Sequence, residues 1–268
     1  MKVLVTGAGG QVGLDLLRIL QARGDEVHAS DVRPPDEPHQ QGVPWHSLDV
    51  TRDGDVSALF ARLRPELVFH LAAILSARGE ADPMRTYAVN QGGTVSVLEA
   101  ARQHGTRQVV FTSTIAAFGP PLPDLVPDDI ALHPTTMYGV TKVAGELLGD
   151  YYFHRYGLDF RAVRFPGLIS AVLPGGGTSD YAPLMYYESL RVGHYEAFCR
   201  PDSRIPMMYM PDALRALVEL SAAPRENLTR CVYNIAAFSP TAQDFADEVA
   251  RTVPGARITF KPDPARQA

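Results

Sequence analysis

The run "KVLVTGAGGQVG" over residues 2–13 constrains the fold more than any other stretch, because a short apolar segment passes through Gly7, Gly10 and Gly13 into a helical pattern. Three glycines at three-residue spacing make a turn too tight for side chains. Gly7 permits the turn, Gly10 lets backbone approach a pyrophosphate, and Gly13 lets the helix pack close on the sheet. The helix would open at Gln11 and Val12, presenting unpaired N–H groups and the positive end of its dipole. Glycine-rich turns alone are a weak signal, but a strand before and a helix after point to dinucleotide binding.

The same alternation continues downstream. "EVHAS", "LVFHLAA", "QVVFTS" and "DFRAVRF" are short apolar runs separated by helix-length segments. Repetition of this kind builds a parallel sheet covered on both faces, so the expected class is α/β, a Rossmann-type doubly wound sheet with a smaller C-terminal lobe. The rhythm falters after Phe165, where "PGLISAVLPGGGTSDYAP" brings in proline and glycine. The division expected is a nucleotide-binding domain over 1–166, then a mainly substrate-binding lobe over 167–268 with some segments returning to the first domain.

With 268 residues, 46% of them hydrophobic, the chain can bury one large core or two modest ones. A net charge of -5 gives no footprint for nucleic acid. No stretch is long and apolar enough to span a bilayer, and the start lacks the features of a secretory signal, so a cytoplasmic protein is expected. Cys199 and Cys231 are too few and too far apart for a disulfide framework or a metal knuckle. The eight histidines show no ligand spacing with a third partner, and His70 falls inside an apolar strand, so no metal is assigned.

Asp31 closes the second expected strand, where a carboxylate accepts the hydroxyls of an adenosine ribose. NAD is favoured over NADP on that ground: a 2′-phosphate beside it would meet repulsion of roughly 1 to 4 kcal/mol at about 4 Å, which Arg33 could soften. "SLDV" places Asp49 and Val50 at the end of the third expected strand, where they could meet adenine, although Asp49 could equally cap the next helix.

In "TMYGVTK", Tyr138 and Lys142 are four apart and share one face of a helix. An ammonium within about 4 to 6 Å of a phenol favours the phenolate by one or more pH units, which makes a base usable near neutral pH. Taken singly, such a pair is more often a solvated helix face.

Together, "TGAGGQVG", "HLAA", "VNQGGTVSVLEAA", "TSTIAAFG" and "YGVTK" resemble the extended short-chain dehydrogenase/reductase superfamily, in the expected order over two thirds of the chain. The resemblance implies that Tyr138 is the catalytic acid/base, that Lys142 binds the nicotinamide ribose and lowers the tyrosine pKa, and that Thr114 hydrogen-bonds the reacting oxygen. It also implies Ser113 as a substrate contact, Asn90 as an ordering residue, and Leu71, Ala72, Ala73 and Phe165 as cofactor neighbours. Helices from about Tyr87 to Gln103 and Tyr138 to Tyr156 would form a homodimer seam.

Beyond that, "RFPGLIS", "PGGGTSDYA" and "RIPMMYMPDALRAL" look like the NAD-dependent L-threonine 3-dehydrogenases of this superfamily. Nucleotide-sugar epimerases usually carry asparagine where this chain has Gly167, and polar residues around Pro206 to Met210. The implied reaction is oxidation of L-threonine at C3 to 2-amino-3-ketobutyrate, with Ser76, Gly176, Gly177 and Thr178 reaching the substrate. Such relatives continue past "ITFKPDPARQA" with a segment bringing a tryptophan to the pocket; Trp45, the one tryptophan here, lies in the cofactor half. Substrate affinity is the property expected to feel that difference. A nucleotide-sugar epimerase or dehydratase, and a dinucleotide-binding sensor without turnover, stay open as alternatives.

Overall fold

A computed structural model describes residues 1–35, 42–172 and 177–263. Among the described residues the main sheet has seven strands, all parallel, in the order β3-β2-β1-β4-β5-β6-β10. These are β1 Lys2–Thr6, β2 Glu26–Asp31, β3 Trp45–Ser47, β4 Leu67–His70, β5 Gln108–Thr114, β6 Asp159–Phe165 and β10 Val232–Asn234. The four residues of β4 are all buried, which is why "LVFH" reads as a continuous apolar run rather than an alternating one.

Helices cover both faces. On one, Leu16, Leu17 and Leu20 of α1 (Gln11–Ala22) share a core with Leu214 and Leu217 of α8 (Met210–Ala222). On the other, α2 (Asp53–Leu63), α5 (Gly93–His104) and α6 (Met137–Tyr156) bury Phe60, Leu98 and Tyr152 against Phe111 and Phe160. Each fully buried leucine or phenylalanine contributes about 1.5–3 kcal/mol relative to exposure. The two layers therefore hold the sheet between them.

Between β4 and α5 lie α3 (Ser76–Ala81), α4 (Pro83–Tyr87) and a π turn over Ala88–Gly92. After β6 the chain leaves the sheet. Strand β7 (Gly167–Ile169) pairs with β9 (Met207–Tyr209), and β8 (His194–Ala197) with β11 (Arg257–Phe260). Here α7 (Tyr181–Val192) and α9 (Ala242–Thr252) bury Tyr181, Met185, Phe245 and Val249 in a third core. The capping box of Thr241 and Asp244 starts α9, worth about 1 kcal/mol. Among the described residues no helix is long and apolar enough to cross a membrane, and no group of three or more His, Cys, Asp or Glu could hold a metal ion.

Candidate active site

Strand order reverses between β1 and β4, the point at which a doubly wound sheet binds ligands beyond the carboxyl ends of its strands. The Leu71 N–H donates to the Thr6 carbonyl at 3.0 Å, which sets Leu71, Ala72 and Ala73 against the glycine turn. Gly7 has φ 69°, and a Cβ there would stand 2.5 Å from the Ala72 backbone nitrogen. At Gly13 a Cβ would come within 2.5 Å of the Ala8 carbonyl oxygen. Gly10 differs, being exposed, with only the Gly7 carbonyl oxygen near a Cβ at 3.3 Å. Its outer side is open to a ligand, and no side chain caps the α1 N-terminus that follows at Gln11, Val12 and Gly13.

Asp31 ends β2 half-buried, and its Oδ2 accepts the Gly9 N–H at 3.0 Å. The carboxylate is thereby held beside the glycine turn, with Oδ1 only loosely met by the Arg33 N–H at 3.5 Å. Strand β3 stops at Ser47, so Asp49 and Val50 lie in the turn beyond it rather than at its end. Asp49 accepts the N–H and hydroxyl of Thr51 at 3.0 and 2.7 Å, which hold its carboxyl below the usual range. It stitches the turn, while Arg52 takes the N-cap position of α2. An open Gly10, an uncapped helix start and a tethered ribose-level carboxylate fit a dinucleotide.

On α6 the Thr136 hydroxyl caps the first turn by accepting the Gly139 N–H at 3.1 Å. Tyr138 and Lys142 follow one turn apart, with Nζ 5.6 Å from the centre of the tyrosine ring. Lys142 is buried, donates to the Thr112 carbonyl at 2.6 Å, and lies 4.6 Å over the Phe111 ring. Thr114, at the end of β5, shares a hydrogen bond with the half-buried Tyr138. In register beside Thr114 is Phe165 at the end of β6.

Burial pushes the Tyr138 phenol up to about 12, with the Thr114 bond pulling the other way. It pulls Lys142 down to about 7, against the charge of Glu146. Burial, rather than Lys142, dominates the phenol in this arrangement. Lys142 directs its ammonium at the Thr112 carbonyl, and loss of water outweighs its attraction for a phenolate.

Asn90 sits in the π turn, where one extra residue per turn re-aims a side chain. Its Oδ1 accepts the Ile74 N–H at 2.7 Å, and its Nδ2 donates to the Ile74 carbonyl at 3.0 Å and the Thr141 hydroxyl at 3.2 Å. The loop after β4 is thus tied to the helix that carries Tyr138 and Lys142.

Residues 3–236 match the family model described as "NAD dependent epimerase/dehydratase family". The chain belongs to that family. Among curated relatives, the mitochondrial L-threonine 3-dehydrogenase of Bos taurus is 44% identical over 100% of this chain and 72% of its own length. An L-threonine dehydrogenase structure from Clostridium difficile superposes with a TM-score of 0.93 at 40% identity, over 99% of this chain and 85% of that one. A monomeric L-threonine 3-dehydrogenase from a metagenome gives 0.93 at 38%, over 98% and 86%.

Of the residues expected at the substrate, Ser76 opens α3 half-buried, and Thr178 is exposed. The Gly177 N–H donates to Asp180 at 2.6 Å, while Gly176 lies outside the described residues. Ser113 departs from its expected substrate contact. It is 2% exposed, and its hydroxyl donates inward to Glu146. Sequence reasoning passed over Glu146 and Arg164, although Tyr138, Lys142 and Glu146 recur at four-residue steps on one helix face. It also passed over the bond from Gln11 to the Ser170 hydroxyl, which joins the glycine turn to the chain after β7; no local pattern could have signalled it.

Proposed function

We propose that this chain oxidises L-threonine at C3 to 2-amino-3-ketobutyrate, with NAD as hydride acceptor. The Thr114, Tyr138 and Lys142 constellation at the end of β5 carries this reading, and the threonine dehydrogenase relatives support it. NAD, when bound, supplies the nicotinamide that takes the hydride. Gly10, the start of α1 and Asp31 would hold its pyrophosphate and ribose, and Lys142 the second ribose. Tyr138 takes the C3 hydroxyl proton in its ionised form. Thr114 holds that oxygen as it becomes a ketone, and Lys142 favours the phenolate by its charge. Ser76, Gly177 and Thr178 meet the amino-acid end.

The lobe after residue 167 serves mainly substrate binding, with α8 and β10 back on the nucleotide-binding sheet. A nucleotide-sugar epimerase shares the cofactor crevice but is disfavoured at Gly167. A Cβ there would stand 2.7 Å from the Ser179 Cβ and 3.3 Å from Met207, so the space for an asparagine is already filled. A non-catalytic sensor is disfavoured because it needs none of the three reacting side chains. Exposed Tyr87, Val95, Val140, Leu147 and Tyr151 on the helices around α5 and α6 support a homodimer through that face. Cys199 and Cys231, both buried and not joined in a disulfide, suit the reducing cytoplasm.

NADH formation across small hydroxy amino acids and UDP-sugars tests the reading. NADH from L-threonine is expected, with UDP-sugars recovered unchanged; no NADH from L-threonine together with epimerised or dehydrated UDP-sugar, followed by product analysis because an epimerase forms no net NADH, overturns it.

A further inference from the structure

Glu146 lies one turn beyond Lys142 on α6 and is 4% exposed. Besides the Ser113 hydroxyl, it accepts two bonds from Arg164 of β6, from Nε at 2.9 Å and from Nη2 at 2.6 Å. Arg164 also donates to Asn234 Oδ1 at 3.3 Å and lies 5.1 Å over the Phe118 ring. Asn234 in turn donates to Asp128 at 2.7 Å. A buried ion pair contributes little net stability, because desolvation offsets most of the attraction, and apolar residues of similar volume often serve as well. Stability alone is therefore a poor reason for a carboxylate here.

We propose that Glu146 is a positioning residue for Tyr138 and Lys142: its buried charge keeps Lys142 an ammonium, and its bond to Ser113 holds the end of β5 that offers Thr112 to Lys142 and Thr114 to Tyr138. The proposal rests on reading those two side chains as the reacting pair.

The titratable groups around Lys142 can be named element by element. Tyr138 and Glu146 flank it on α6. From β4 comes His70, kept neutral because burial pulls it down to about 3. From β6 comes Arg164, already engaged by Glu146. From β5 come only the Thr112 carbonyl and the Phe111 ring, and from the π turn the uncharged Asn90. Of these, Glu146 is the group whose charge opposes loss of the Lys142 proton. Ser113 lies between the two residues it must align, so the carboxylate acts on geometry and charge at once.

The test is Glu146→Gln in the full chain, read first by NADH binding from about pH 6 to 9, which needs no substrate. NADH carries a doubly negative pyrophosphate, so affinity should fall as Lys142 loses its charge. In the variant the midpoint of that fall should lie about one pH unit lower than in the wild type, and the alkaline fall of kcat with threonine should move with it. Glu146→Asp keeps the charge while shortening the reach, and should return the midpoint to the wild-type value even where the rate stays low. Equal midpoints in the wild type and the Gln variant overturn the proposal. So does an Asp variant that behaves like Gln. Should an unpaired Arg164 unfold the Gln variant, Glu146→Gln with Arg164→Met removes both charges, and the same shift is expected; its absence overturns the proposal. A shift in NADH binding without threonine turnover upholds Glu146 and removes threonine as substrate.

Discussion

Lys142 reaches the Thr112 carbonyl at 2.6 Å, so the ammonium of α6 is fastened to β5 two residues before Thr114. The hydrogen bond fixes the distance between helix and strand at the point where Tyr138 and Thr114 must meet one oxygen. A lysine buried this deeply gives up water, and the carbonyl returns only part of that solvation.

Tyr138→Phe should lower turnover with threonine by about 100-fold or more, the loss expected when a positioned acid/base is removed, and leave NAD affinity nearly unchanged. Lys142→Ala should weaken both. Because burial raises the phenol and only its ionised form accepts a proton, activity should rise with pH before the alkaline fall set by loss of the Lys142 charge. Steady-state kinetics beside cofactor titration checks all three, and near-normal turnover in the Phe variant would return the pair to ordinary helix register.

Asp31 should make NAD bind at least about tenfold more tightly than NADP, since a 2′-phosphate near a carboxylate costs more than about 1 kcal/mol. Asp31→Ala should narrow the gap. Equal affinities in the unaltered chain, measured by calorimetry, would remove the residue from the ribose site.

Gly167→Asn restores the residue type expected of nucleotide-sugar epimerases at a place where Ser179 and Met207 fill the space. Overpacking of this kind costs about 1–3 kcal/mol. The variant should melt earlier and lose about tenfold in kcat/KM for threonine, with NADH binding unchanged. Unaltered kcat/KM would disconnect β7 from the substrate.

His70 is held between the Thr6 and Thr94 hydroxyls at 2.7 and 3.1 Å, and burial pulls it from 6.5 down to about 3. Between those values the unfolded chain binds a proton that the folded chain refuses. Stability therefore rises with pH across that window and is lost as pH falls, at up to about 1.4 kcal/mol per pH unit from this one group. Urea melts at several pH values should show a shallower acid slope for His70→Gln.

Leu147 is 67% exposed on α6, with Tyr151 one turn on. Light scattering at micromolar concentration should give the mass of two chains, and Leu147→Arg should give one without loss of fold. A monomeric wild type would place this chain with the monomeric relative.

Where a property depends on neighbours a few residues apart, the sequence by itself determined it. Strands β1, β2, β4, β5 and β6 were legible as short apolar runs, whereas β10 was not; Gly7 and Gly13 were legible as sites with no room for a side chain, and Tyr138 with Lys142 as one helix face. Each follows from a backbone period or a local turn. Tertiary structure alone decided what those faces meet. Ser113 stands one residue before Thr114, yet alternation along β5 turns it toward Glu146, 33 positions away, and Arg164 joins them from β6. Asn90 reaches Thr141 across 51 residues. The protonation of Tyr138 and Lys142 does not follow from spacing, because spacing gives the distance between two charges and says nothing of the water each has lost. Desolvation is set by every element packed around a group, and only the folded chain determines which elements those are.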